Sequence, residues 1–125
     1  GFSLAHGSLW ELQKMITKGT GKNAWFYYSF YGCYCGWGGT GKAKDATDRC
    51  CQLHDTCYDN LMSYHCNAKM ETYHYSWHKG SPSCGKDLWC SQLSCECDRS
   101  LVLCLKRSKR SYSKRYLFYP KDRCC

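Results

Sequence analysis

The sequence predicts a mainly α-helical, disulfide-rich domain: two long antiparallel helices stapled by disulfides, a short N-terminal helix, a glycine-rich loop and a small β-hairpin. Three observations lead there. Cysteine supplies 13 of 125 residues, a density found in small secreted scaffolds that need covalent cross-links to supplement a thin core. The aliphatic complement is thin: 11 Leu, one Ile and one Val stand against 20 Tyr, Trp and Phe. Finally, two segments without Gly or Pro, Asp45 to Met62 and Leu88 to Ser108, each carry cysteines seven residues apart, Cys50 and Cys57 in one and Cys97 and Cys104 in the other. Seven residues make two helical turns, about 10.5 Å, so each pair lies on one face of its helix. Two antiparallel helices could then be joined by Cys50–Cys104 and Cys57–Cys97, although spacing alone does not fix connectivity.

The elements follow in chain order. Residues 1 to 7 (GFSLAHG) stand outside the helical pattern, and Ala5-His6-Gly7 has the small-x-small form of a signal-peptidase site, so they read as a leader remnant or propeptide before a single domain over 8 to 125. Ser8 serves as an N-cap with Glu11 three residues on; Leu9, Leu12 and Ile16 then recur at helical spacing until Gly19 and Gly21 stop them. WFYYSFY (25 to 31) is a short aromatic run. Residues 32 to 41 (GCYCGWGGTG) hold five glycines and no strand alternation, which predicts a loop whose backbone approaches something closely. Glu71 to Lys79 is aromatic and alternating, and the Gly-Ser-Pro after it marks a hairpin. In the last long helix Leu93, Cys97, Leu101 and Cys104 form the apolar stripe.

Charge is concentrated at one end. Residues 106 to 123 place eight basic side chains against Asp122, so this segment carries +7 of the net +8. Such a face attracts polyanions, which outside a cell means anionic lipid surfaces, heparin or heparan sulfate rather than nucleic acid. No apolar run approaches the length of a membrane span. The cysteine content and these features predict a secreted, extracellular protein, monomeric unless the thirteenth cysteine forms a dimer bridge.

The two stapled helices also bring chemistry together. His54 lies midway between Cys50 and Cys57, Tyr58 one turn further along the same face, and Asp98 directly after Cys97. A buried His–Asp pair with a tyrosine beside it is a general-base arrangement, because the carboxylate fixes the imidazole tautomer. Asp55, about 100° around the helix from His54, is free to face the glycine loop. There Gly36, Gly38 and Gly39 let carbonyls converge on a hard cation, and Ca²⁺ suits that donor set. Zinc through Cys51-x-x-His54 lacks a second ligand pair.

At CCQLHDTCYD (50 to 59), preceded by YGCYCGWGGTGKAKDATDRCC and followed by CECD (95 to 98), the chain resembles the secreted phospholipases A2. The resemblance runs from Ser8 to Cys124. It implies His54 as the base, Asp98 as its orienting partner, Tyr58 and Tyr73 as hydroxyl donors to Asp98, and the Gly36 amide as an oxyanion donor. It also implies a Ca²⁺ site made by the backbone carbonyls of Tyr34, Gly36 and Gly38 with the carboxylate of Asp55. The implied disulfides are Cys33–Cys124, Cys35–Cys51, Cys50–Cys104, Cys57–Cys97, Cys66–Cys90 and Cys84–Cys95. Thr56 stands where group II members carry a further cysteine, so the set resembles group V, and Cys125 has no partner.

The function implied is calcium-dependent hydrolysis of the sn-2 ester of glycerophospholipids at a membrane surface, releasing fatty acid and lysophospholipid. The alternative is a non-catalytic relative that binds heparin, a receptor or anionic membranes. A neutral His54 and an ionised Asp55 predict activity rising through about pH 6 to 7, from reference pKa values near 6.5 and 3.9. Trp10 and Trp37 are candidates for an apolar rim that seats on lipid, with core packing the competing role for Trp10.

Overall fold

Helix nucleation is set by local hydrogen bonding, and Asp45 provides it: its carboxylate accepts from the Asp48 N–H at 2.8 Å and caps a 17-residue helix, Ala46–Met62. The computed structural model describes residues 8 to 36 and 39 to 125. Within them the chain forms α1 (Ser8–Thr20), α2 (Ala24–Tyr27), β1 (Phe30–Tyr31), β2 (Cys35–Gly36), α3 (Ala46–Met62), β3 (Tyr75–His78), β4 (Ser81–Cys84) and α4 (Trp89–Arg107), then three short 3₁₀ turns at Lys109–Ser111, Lys114–Tyr116 and Lys121–Cys124. The leader-like segment 1 to 7, Trp37 and Gly38 lie outside the described residues.

Helices α3 and α4 pack side by side and are joined by Cys50–Cys104 and Cys57–Cys97, with Cα separations of 5.7 and 5.8 Å. Four further bridges tie the periphery to this pair. Cys35–Cys51 holds the glycine loop to α3, Cys66–Cys90 links the segment after α3 to the start of α4, Cys84–Cys95 fixes the hairpin to α4, and Cys33–Cys124 brings the tail to the loop. All six match the pairing implied by the resemblance, and Cys125 is free and exposed.

Helix α1 lies across α4, burying Leu12, Met15 and Ile16 with Leu101, Val102 and Leu105 in the main core. Gly19 belongs inside α1 and does not end it. A Cβ at Gly19 would overlap a methyl of Val102, so the close approach of the two helices outweighs the cost of about 1 kcal/mol for a helical glycine. The buried face of α4 is Ser94, Cys95, Cys97, Asp98, Leu101, Val102 and Leu105, whereas Leu93 is exposed and does not join the stripe. Leu93 stands four residues before Cys97, but a row of every fourth residue drifts about 40° per step around a helix of 3.6 residues per turn, which carries Leu93 off the buried face.

The aromatic alternation before Gly80 forms the predicted hairpin. Tyr75 and Trp77 pack on the core and Ser76 and His78 face out; Lys79 and Gly80, at φ 52° and 80°, make the two-residue turn. Two small elements escape the sequence pattern. Asn23 caps the single turn α2, and Cys35–Gly36 pairs with Phe30–Tyr31 inside the segment read as strandless. Gly36 makes that pairing possible, since at φ 86° any side chain would run into the Ser29 carbonyl. Among the described residues no helix is long and apolar enough to cross a membrane.

Candidate active site

The staples place residues 54 and 98 at facing positions, and the side chains meet there. His54 Nε2 lies 2.7 Å from Asp98 Oδ1. Tyr58 donates its hydroxyl to the same oxygen at 2.5 Å, and Tyr73 donates to Oδ2 at 2.6 Å. Asp98 is fully buried and His54 nearly so, which makes the charge-assisted bonds count, because a buried carboxylate without partners would be costly. Burial and the charge of Asp98 drive the Tyr73 phenol well above its ordinary range, so it remains a donor at any physiological pH. With Nε2 held by Asp98, Nδ1 is the nitrogen left for proton transfer.

His54 also lines a cavity of about 360 Å³. One wall is apolar, from Leu9, Leu12 and Ile16 of α1 and Leu101 and Leu105 of α4; the other is polar, from Tyr34, Gly36, Gly39, Asp55, Asp59 and Lys69. The sequence reading thus finds its His–Asp–Tyr cluster and its glycine loop at one cavity. Tyr34, Gly36 and Asp55 are all there, while Gly38 and Trp37 fall outside the described residues.

Asp55 turns away from His54 toward the loop, its Oδ2 about one van der Waals contact (3.5 Å) from the position a Cβ on Gly39 would occupy. Burial pushes its carboxyl up to about 6; Asp59 and Asp48 add to the rise, and His54 and Lys69 oppose it. A half-buried carboxylate raised in this way, beside the glycine loop at one cavity, suits a hard divalent cation, whose charge would reverse the shift.

Beyond the predicted site residues the structure adds three features at or near the cavity, of which the sequence marked only Trp10. Lys69, exposed at the mouth, is the cationic lining residue, but it stands alone between Cys66 and Tyr73. Asp48 resembles an ordinary first-turn helix acid, yet it is fully buried beneath the loop and accepts the N–H groups of Cys33, Tyr34 and Lys44. The third is a set of exposed aromatic rings: Trp10 at 40%, beside a groove shared with Lys14, Lys18 and Trp25, and the stacked pair Phe30 and Phe118. Trp10 is exposed and does not belong to the core, so core packing is not its role.

Two antiparallel helices stapled through their facing sides, with a glycine loop bridged to one of them, define the scaffold of the secreted phospholipases A2. The family model described as phospholipase A2 matches residues 9 to 117. The chain is also 53% identical over 117 residues to the basic phospholipase A2 Cdr-13 of Crotalus durissus ruruima, covering 94% of each chain. This chain belongs to the phospholipase A2 family.

Proposed function

We propose that the protein is a secreted, extracellular, calcium-dependent phospholipase A2 that hydrolyses the sn-2 ester of glycerophospholipids at a membrane surface, releasing a fatty acid and a lysophospholipid. The observation that carries this reading is the His54–Asp98 pair, oriented by two tyrosine hydroxyls, with His54 lining a cavity that is apolar on one side and polar on the other.

His54 Nδ1 removes a proton from water as that water attacks the ester carbonyl, then returns it to the departing glycerol oxygen. Asp98 holds the ring and stabilises the imidazolium formed in between, and Tyr58 and Tyr73 hold Asp98. The Gly36 amide donates to the oxygen on which charge develops. Leu9, Leu12, Ile16, Leu101 and Leu105 line the path of an acyl chain, and Lys69 offers a counter-charge to a phosphate. Asp55 and the backbone carbonyls of Tyr34, Gly36 and Gly38 would hold Ca²⁺, which when bound supplies positive charge at the ester carbonyl and the phosphate.

Access to lipid rests on the aromatic rings around Trp10, and the +7 tail favours anionic vesicles or sulfated glycans in a salt-dependent manner. The test is fatty-acid release from sn-2-labelled vesicles with millimolar calcium or with chelator, for the wild type and His54→Gln. Release that needs both calcium and His54 is the expected result. Absence of release from correctly bridged wild-type protein would leave a non-catalytic binding protein instead.

A further inference from the structure

The loop assigned to the metal contains a peptide unit held from both ends. The peptide joining Gly32 to Cys33 donates its N–H to Asp48 Oδ2 at 2.9 Å, and its carbonyl accepts from Lys121 Nζ at 2.7 Å. A carboxylate therefore sits at the positive end of the peptide dipole and an ammonium at the negative end. The next peptide donates the Tyr34 N–H to Asp48 Oδ1 at 2.8 Å. Two successive N–H groups converging on one anion form the concave arrangement that backbone amides make around anions elsewhere. The third donor, Lys44 N–H at 2.8 Å, comes from the returning limb of the loop, so Asp48 spans both limbs.

The surroundings leave little room for another arrangement. Gly32 adopts φ 60°, and any Cβ there would overlap the Asp48 carboxylate. Its N–H is taken by the Tyr116 carbonyl at 2.8 Å. The peptide that follows these two carries the Tyr34 carbonyl. We infer that Asp48, assisted by Lys121 of the basic tail, is the positioning residue of the cation loop: it fixes the two peptides immediately before the Tyr34 carbonyl and so sets the affinity of the site. The inference rests on the calcium reading of that loop. It gives the buried acid and one tail lysine a purpose beyond charge.

The test compares wild type, Asp48→Asn and Lys121→Met, each as the full oxidised chain, by calorimetric titration with Ca²⁺ and by amide hydrogen exchange of calcium-free protein. Asp48→Asn keeps the shape but loses an acceptor and the charge, and hydrogen bonds to charged groups are the strong ones. The Ca²⁺ dissociation constant should rise about tenfold or more, with turnover recovering at saturating calcium and exchange of the Cys33 and Tyr34 amides accelerating by a similar factor. Lys121, more exposed, should weaken binding by about threefold. An unchanged dissociation constant in Asp48→Asn, or a lower melting temperature without a calcium shift, would overturn the inference. If Asp48→Asn does not fold, Lys121→Met decides, and unchanged affinity overturns it. Wild type that binds no calcium would sink the calcium reading of the site, and with it the affinity claim, while the exchange measurement still reports whether Asp48 orders the loop.

Discussion

The two sides of the cavity are built by different means. The His54–Asp98 side is a meeting of side chains between two helices bridged twice, with its polar atoms satisfied by tyrosine hydroxyls. The loop side is backbone, held by hydrogen bonds to Asp48 and from Lys121 and Tyr34 and by two bridges on its first limb, at Cys33 and Cys35. The first side is rigid because removing any partner exposes a buried charge; the second is tunable because its groups are peptides whose orientation depends on neighbours. Substitutions on the two sides should therefore separate into losses of turnover and losses of cation affinity.

The largest effect is expected for His54→Gln, which removes the base and leaves the loop intact. Hydrolysis should fall by about 10² to 10⁴, with calcium binding measured by calorimetry close to wild type. Asp55→Asn should give the reverse, abolishing calcium binding. It should also raise the melting temperature of the calcium-free protein. Burial pushes the folded Asp55 carboxyl up to about 6 from its ordinary 3.8, so the folded state holds more protons between those values and loses stability as pH rises through that window. After discounting for solvent screening the gain is of order 1 kcal/mol at neutral pH. The same shift predicts that calcium affinity falls as pH drops below about 6, where protons compete for the carboxylate. Affinity that is flat from pH 5 to 7 would contradict this.

A smaller change should follow Tyr73→Phe, which leaves Asp98 Oδ2 without its hydroxyl donor. Loss of about 1 to 3 kcal/mol in chemical denaturation is expected, with calcium affinity unmoved. The smallest effect belongs to the rim. Trp10→Ala should lower activity on vesicles while sparing monomeric substrate, and equal losses on both would remove the lipid-facing role.

How much of this was legible in the sequence depended on whether a residue's partner was fixed by helical geometry. The seven-residue spacing of Cys50 and Cys57 and of Cys97 and Cys104 pointed to a stapled pair, and that pair sufficed to bring His54 to Asp98. The hairpin was legible because Tyr75 and Trp77 alternate with polar residues. Gly19 misled because a helix-breaking residue and a helix-crossing residue look the same in one dimension; only the nearness of Val102 tells them apart. Leu93 misled for a related reason, since the drift of every fourth residue around the helix carries a leucine from the row to the surface. Asp48 and Lys69 were silent because their partners are backbone amides or a cavity, which leave no spacing to read.

One bridge has a consequence for biosynthesis. Cys33 and Cys124 are 91 residues apart in the chain, whereas Cys35 and Cys51 are 16 apart. The Cys35 bridge of the loop can form early, but the neighbouring Cys33 bridge waits until Cys124 has been made. A partly synthesised chain therefore cannot carry a finished loop side. In an oxidising compartment, a chain that has not yet reached Cys124 leaves the Cys33 thiol open to other partners until that residue arrives.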